Sequence, residues 1–289
     1  MINSEELHSK STISCPNEQT FVDYVINNFD MNELPISGKL YHTLRVTKNC
    51  TDLSEKLGLD SVLGMDIGLL HDYARFSQWV KYHSYVDYKT EDHADMAVNM
   101  LFNEGDIAKF DIPDNYKPYI YYAVKYHNKS CIDNERIIDE ISTGKIYDIV
   151  HIPETYINIA DMLDYCKIAR DGDKIDLINR IIAGEFKISY TTDGYSPECM
   201  KRLKEKTYVY VTDFKTKLDR IFTFIGFLYD INFSQSFDLF SLDDFFDSLM
   251  KNYDCILNDT DKLTLRNMIS ESKNNIIKKY GLNVRIANL

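Results

Sequence analysis

Apolar residues recur at steps of three and four along most of the chain, which is the period of an α-helix packed on one side. One such run starts near Lys39 and stops at Gly58, a residue type suited to the left-handed position that closes a helix. Asp60 then suits an N-cap, and the apolar stretch from Ser61 to Phe76 predicts a mostly buried helix. Alternation typical of strands is scarce, with 186–190 as the only short candidate. The pattern therefore predicts an all-α fold.

Further helices are predicted where a proline or a capping residue precedes a periodic stretch. Their predicted ranges are 16–28, 90–103, 113–127, 153–168 and, with the strongest apolar stripe, 214–229. Residues 77–89 contain aromatic residues without periodicity and are predicted to form a loop. No linker or repeat interrupts the chain. We expect one structural unit, with a site-bearing part at 15–186 and a helical C-terminal part at 187–289 packed on it.

Composition narrows the possible partners and the cellular setting. The 33 Lys and Arg against 45 Asp and Glu give a net charge of −12 over 289 residues, which disfavours a nucleic-acid polymer as partner. The six cysteines are widely spaced without a C-x-x-C pair, as expected in a reducing cytoplasm. The N-terminal MINSEELHSK lacks an apolar core, and no apolar run approaches the ~18 residues of a membrane span. We expect a cytoplasmic protein without a membrane contact, and the oligomeric state stays open.

Candidate chemistry comes from histidines and aspartates near the ends of separate predicted helices. The doublet His71-Asp72 ends an apolar helix, where an isolated carboxylate would be costly unless a cation were nearby. Asp161 poses the same problem on its own apolar helix. Imidazole and carboxylate groups together bind Fe, Mn, Co, Ni or Zn. A metal site is therefore predicted from the ordered set His42, His71, Asp72, His93, His127 and Asp161.

This ordered set resembles the HD superfamily of metal-dependent hydrolases, which is named for the His-Asp doublet. The apolar helix before the doublet and the Ala-Arg-Phe sequence at 74–76 after it are similar to that family. Asp-His-Ala at 92–94 and His-Asn at 127–128 resemble a branch of uncharacterised bacterial HD proteins. The resemblance is strong from Leu40 to about Ile168 and extends more loosely to residues 212–233. It implies an all-α HD-domain helical bundle, here followed by a C-terminal helical extension.

The resemblance also implies how the ligands are divided between metal ions. His42, His71, Asp72 and Asp161 would hold one ion, and His93 and His127 would extend the site to a second ion shared through Asp72. The cofactors would be one or two divalent ions, with Fe or Mn favoured and Co, Ni, Zn or Mg possible. The branch carries R-D-A-D-K-L-D around its last ligand. Here Asn158, Ile159 and Met162 replace its Arg, first Asp and Lys, while Asp164 remains as a residue expected to support the ligand set.

The activity implied by the resemblance is hydrolysis of a small phosphate mono- or diester, such as a nucleotide, by attack of a metal-bound hydroxide. Asp72 would be catalytic as the shared ligand. Arg75 follows His71 by one helical turn, so it would act in catalysis by pairing with phosphate oxygens. Lys125 and Asn128 are further candidates for binding the substrate.

Two other functions stay open at the level of the sequence. Some relatives with the same ligand order are di-iron oxygenases, and imidazole and carboxylate also suit iron. The third hypothesis is a metal-containing binding or regulatory protein without catalysis, in which the acidic segment at residues 230–259 would contact a partner. The chain lacks the G-x-x-x-x-G-K-[ST], G-x-G-x-x-G and G-x-S-x-G motifs, so P-loop, Rossmann and α/β-hydrolase functions have no support.

Overall fold

The computed structural model describes residues 15–210 and 213–282, so the N-terminal decapeptide discussed above lies outside the described residues. Across these two ranges the protein is helical and has no strand, which confirms the all-α prediction. The candidate strand at 186–190 therefore does not form one. The chain divides into two compact units, residues 1–173 and 174–289, and this boundary falls earlier than the predicted one at 186.

The first unit contains a succession of mostly short helices around two long ones. They are α1 Pro16–Asn28, α2 Leu34–Leu57, α3 Ser61–Leu70, α4 Arg75–Tyr82, α5 His93–Val98, α6 Lys117–Tyr126, α7 Asn134–Ser142, α8 Lys145–Val150 and α9 Ile159–Ile182, the last of which contains the unit boundary. A π-helical segment, Asn99–Asn103, continues α5. The sequence pattern had not predicted α7 and α8.

The predicted helix from Ser61 to Phe76 is interrupted at the His-Asp doublet. Helix α3 starts at the predicted cap, where the Asp60 side chain accepts from the amides of Val62 and Leu63, but it ends at Leu70. Residues 71–74 form a turn, and α4 begins at Arg75, inside what was predicted as helix and then loop. Because the chain turns here, the doublet and the start of α4 can both lie beside the candidate site. A single straight helix would not allow this.

Helix α9 differs from its prediction at both ends. It begins at Ile159 rather than Pro153, because the Asn158 side chain accepts a hydrogen bond from the Ala160 amide at 3.0 Å and so caps the first turn. It continues to Ile182, far beyond the predicted end at Ile168. This longer course decides which aspartate of the helix reaches the candidate site.

Helices α2 and α3 pack unusually closely because α3 presents glycines to α2. A Cβ added at Gly68 would lie 2.7 Å from the Cα of Thr47, and one at Gly64 would lie 2.9 Å from the backbone oxygen of Cys50. Any side chain at Gly68 would therefore push the two backbones apart. The close approach brings His42, on α2, next to the doublet that follows α3.

The second unit is built on helices α10 Pro197–Lys204, α11 Lys217–Tyr229, α12 Leu242–Tyr253 and α13 Asp259–Tyr280. Helix α11 carries the apolar stripe predicted from the sequence, and its residues from Ile221 to Tyr229 are all buried. A reciprocal cap between Thr216 and Asp219 fixes its start. Among the described residues, no helix of either unit combines the length and the apolar character needed to traverse a lipid bilayer.

Candidate metal centre

The four histidines predicted as ligands converge in the first unit together with two aspartates. They form two groups, His42 with His71 and Asp173, and Asp72 with His93 and His127, and the ligand atoms within each group lie within 4.8 Å of one another. His42 comes from the middle of α2, the doublet from the turn after α3, His93 from the first residue of α5, His127 from the end of α6, and Asp173 from α9. The histidines and Asp72 are each at most 5% exposed. These six residues are called the His/Asp cluster below.

Asp72 belongs to the second group and also faces the first, with a different carboxylate oxygen directed at the histidines of each group. Its Oδ2 is 3.5 Å from Nε2 of His42 and 3.4 Å from Nε2 of His71. Its Oδ1 is 3.2 Å from Nε2 of His93 and 3.5 Å from Nε2 of His127. Asp173 completes the first group, with its Oδ1 3.3 Å from Nε2 of His42. Asp72 thus joins the two groups into one cluster.

Three of the histidine rings are fixed through Nδ1 by acceptors outside the cluster. Nδ1 of His71 donates to the Gly68 carbonyl and Nδ1 of His127 to the Val124 carbonyl, each at 2.7 Å. Nδ1 of His93 donates to Oδ2 of Asp87, also at 2.7 Å. Because a carbonyl oxygen only accepts, the ring proton of His71 and of His127 must lie on Nδ1. The Nε2 lone pairs of the three rings are therefore directed into the cluster, as in histidines that bind metal ions.

Two features of the cluster are unfavourable without a cation. Nε2 of His93 and Nε2 of His127 lie 2.9 Å apart, although both carry lone pairs when Nδ1 is protonated. Burial lowers the pKa of His127 to about 4, so this ring is neutral at pH 7. Nε2 of His71 is buried and has no hydrogen bond to any described residue. A divalent ion accepts such lone pairs, so the donor set fits a metal ion.

The carboxylate of Asp72 is ionised despite its burial. Burial by itself would raise its pKa, but the charges of Lys39 and Arg75, with the nearby imidazole of His71, hold the pKa well below its usual range. Nζ of Lys39 lies 2.8 Å from Oδ2, and Nε of Arg75 lies 3.4 Å from Oδ1. A permanently charged carboxylate is the form that a metal ion requires.

The structure corrects the assignment of Asp161 as a metal ligand. Asp161 lies about three turns before Asp173 on α9, roughly 18 Å along the helix axis at 1.5 Å per residue. It lines a separate cavity of about 250 Å³ together with Asp60, Tyr116, Tyr119 and Tyr165. Asp164, expected to support the ligands, instead pairs with Lys167 at 2.8 Å and is partly exposed. The helix places Asp173, and not Asp161, in the His/Asp cluster.

A signal for Asp173 was present in the sequence. Residues 170–176 read Arg-Asp-Gly-Asp-Lys-Ile-Asp, which agrees with the R-D-A-D-K-L-D pattern of the HD branch at every charged position. Aligned to residues 158–164, the pattern lacks its Arg, its first Asp and its Lys. Asp171 is in fact fully buried, and Arg170 donates to the Tyr126 carbonyl at 3.1 Å and to the Lys129 carbonyl. Arg170 thereby ties α9 to the turn that carries His127.

The three residues predicted to bind substrate have different positions. Arg75 lies at the cluster, where Nη1 donates to the carbonyl of Tyr85 at 2.9 Å and to Oδ1 of Asp87 at 3.0 Å. Asn128 is directed at Asp92 and at Nδ1 of His93, so it lies behind a cluster histidine rather than facing the cluster. Nζ of Lys125 donates to the hydroxyl of Tyr121 at 2.9 Å on its own helix. Of these three residues, Arg75 is the one that contacts Asp72.

Two functional candidates were missed by the sequence analysis. Asp87 anchors His93 and also accepts from Arg75 and from Nε2 of Gln78, but it lies in the aromatic stretch without periodicity that was predicted as a loop. Lys39 lies one helical turn before His42, and this spacing could have placed its side chain beside the histidine. Neither residue belongs to a sequence motif that would have indicated a role.

Comparison with protein-family models, with curated proteins and with solved structures finds no match to this chain.

Proposed function

We propose that the protein is a metal-dependent phosphohydrolase of the HD type that acts on a small phosphate mono- or diester. The observation that carries the proposal is the position of Asp72, whose two carboxylate oxygens face separate groups of histidines at 3.2 to 3.5 Å. This arrangement would suit two metal ions, one held by His42, His71 and Asp173 and the other by His93 and His127, with Asp72 available to both. Two such ions, when bound, would supply Lewis acidity and would lower the pKa of a water molecule for an attack on phosphorus.

The residues around the cluster have the charge that a phosphate ligand needs. The Arg75 guanidinium is held by the Tyr85 carbonyl, Asp87 and Gln78 through Nη1, which fixes its orientation beside Asp72. Its Nε is buried and makes no hydrogen bond to any described residue. A fixed guanidinium at this place would bind phosphate oxygens and would help to hold the phosphorus in line.

The proposal is tested with purified protein that has been stripped by a chelator and reloaded with Mn²⁺, Fe²⁺, Co²⁺ or Ni²⁺. Each form is assayed on nucleoside monophosphates, cyclic nucleotides and simple phosphodiesters for release of the product, and in parallel for oxygen consumption. We expect metal-dependent hydrolysis of at least one phosphate ester and its loss in Asp72→Asn. The variant's helical circular dichroism should match that of the wild type.

Other outcomes would decide against a phosphohydrolase. A protein that binds the metals but cleaves no ester in the panel contradicts the proposal. Oxygen consumption that depends on iron alone assigns the cluster to an oxygenase. Failure to bind any of the four metals contradicts the metal centre as well.

A further inference from the structure

Lys39 is a cation in contact with the cluster whose role the proposed hydrolysis does not explain. Its Nζ lies 2.8 Å from Oδ2 of Asp72, the same oxygen that faces His42 and His71. The lysine side chain is 18% exposed, while that of Asp72 is only 4% exposed. An ammonium group and a metal ion both need the lone pairs of this oxygen, so they compete for it.

The Tyr85 ring lies beside the ion pair of Lys39 and Asp72 and contacts the ammonium as well. Nζ of Lys39 lies 5.5 Å from the centre of the Tyr85 ring, and Cζ of Arg75 lies 5.7 Å from the same centre. The Tyr85 hydroxyl donates to the Pro35 carbonyl at 2.9 Å, which fixes the ring against the first turn of α2. Two cations are thus held over one ring at the edge of the cluster, within the distance at which a ring attracts a cation.

We propose that Lys39 is a displaceable counter-cation that links metal binding to anion binding. Without metal ions it pairs with Asp72. When metal ions take Asp72, the ammonium gives up this carboxylate, keeps its place beside the Tyr85 ring and, together with Arg75, binds an oxygen of a phosphate group. This inference rests on the proposed metal-dependent function and names the residues that give the site its preference for phosphate.

The charges of the cluster explain why the two binding events are coupled. A released ammonium close to divalent ions experiences repulsion, which weakens metal binding unless an anion enters between them. A phosphate ion neutralises the ammonium, the guanidinium of Arg75 and part of the metal charge. Each ligand therefore strengthens the binding of the other, and this coupling is reciprocal. In a variant without the ammonium, metal binding no longer has to displace a cation.

The test uses the full chain, stripped of metal, with Mn²⁺ and inorganic phosphate as probes in calorimetric titrations. We expect Lys39→Met to bind Mn²⁺ about tenfold more tightly than the wild type, and its Mn²⁺-loaded form to bind phosphate about tenfold more weakly, as for one lost charge-assisted hydrogen bond. Lys39→Arg retains the charge and should stay closer to the wild type in both titrations. Lys117→Met is the matched control and should change neither affinity, because Lys117 is similarly exposed, pairs with Asp114 at 2.6 Å and lies at the opposite end of α6 from His127.

Thermal unfolding separates this role from a purely structural ion pair. Removal of the ammonium leaves the buried Asp72 with Arg75 in place of two cations, so metal-free Lys39→Met should melt below the wild type. Saturating Mn²⁺ should abolish that difference, because the metal then neutralises Asp72. A melting temperature lowered equally with and without Mn²⁺ would overturn the inference. Mn²⁺ and phosphate affinities of Lys39→Met equal to those of the wild type would also overturn it. If the wild type still hydrolyses phosphate esters in that case, the proposed function stands and only this inference fails.

Discussion

Gly172 lies directly against Cys50, where α9 crosses α2. A Cβ atom added at Gly172 would be 2.4 Å from Sγ of Cys50, while its next neighbours, the Cys50 amide nitrogen and the Val46 carbonyl oxygen, would be at 3.6 Å. The thiol alone therefore excludes a side chain at position 172. Since Asp173 follows immediately, this contact sets the distance of its carboxylate from His42.

The first prediction tests this contact. Gly172→Ala should lower the free energy of unfolding by about 1–3 kcal/mol, because it overpacks a buried helix crossing, and should weaken Mn²⁺ binding by moving Asp173. In a Cys50→Ala background the same substitution should be neutral or stabilising by up to about 1 kcal/mol, since alanine favours a helix over glycine. Urea denaturation of the four proteins measures the difference. An equal cost of Gly172→Ala in both backgrounds would show that Cys50 is not the obstacle.

A second prediction distinguishes the two aspartates of α9. Asp173→Asn should weaken metal binding strongly and reduce the metal content of the purified protein, because a ligand of His42's group is lost. Asp161→Asn is the matched control on the same helix and should retain the metal content of the wild type, because Asp161 lies in a different cavity. Elemental analysis of both variants measures the effect. Loss of metal in Asp161→Asn but not in Asp173→Asn would reverse the assignment made here.

A third prediction concerns the residue that orients His93. Asp87→Asn replaces the acceptor of the Nδ1 hydrogen bond by a weaker one and should reduce metal affinity about 10–100-fold. Titration with Mn²⁺ measures this change. Asp95→Asn serves as the control, since Asp95 is an exposed residue of the same helix as His93 and pairs with Lys129. Similar affinities in the two variants would mean that Asp87 contributes nothing beyond its charge.

A fourth prediction follows from Asp66, a carboxyl buried in α3 away from the cluster. Burial raises its pKa to about 6, although the Asn17 side chain donates to Oδ1 at 2.9 Å. The folded state therefore retains a proton that the unfolded chain releases near pH 4, so this group's contribution to stability is lost as the pH rises from about 4 to about 6. The loss is about 2–3 kcal/mol for a shift of this size.

The measurement for Asp66 is urea unfolding of the metal-free protein between pH 4 and pH 7. Asp66→Asn should remove that part of the decline and should be more stable than the wild type at pH 7. The carboxyl of Asp219 should show the opposite dependence of stability on pH, because hydrogen bonds from Ser196, Lys215 and Thr216 outweigh its burial and lower its pKa. Its stabilising contribution is present above its usual pKa and is lost in acid. A pH profile of Asp66→Asn parallel to that of the wild type would contradict the prediction.

The helical class and most of the cluster were predictable from local patterns. Helix periodicity and cap residues such as Asp60 and Gly58 depend on neighbours within a few positions, so they can be recognised in the sequence. The same holds for the doublet, His93 and His127, which lie at helix ends, since a polar residue ending an apolar helix needs a partner wherever the helix packs. His42 lies in the middle of α2 and was predicted from its place in the ordered set of histidines and aspartates.

Only the tertiary structure decided which distant residues complete the site. Asp161 and Asp173 lie on one helix, and the choice between them depends on where α9 begins and on how closely it crosses α2 at Gly172 and Cys50. Lys39 gains its role from Asp72, 33 residues further along the chain, and Asp87 meets His93, six residues away, only through the fold of the segment between them. The sequence by itself determined the helices and the chemical types of the ligands, because both follow from short-range rules. Register between helices arises from packing over the whole unit, so the last ligand and the surrounding charges emerged only in three dimensions.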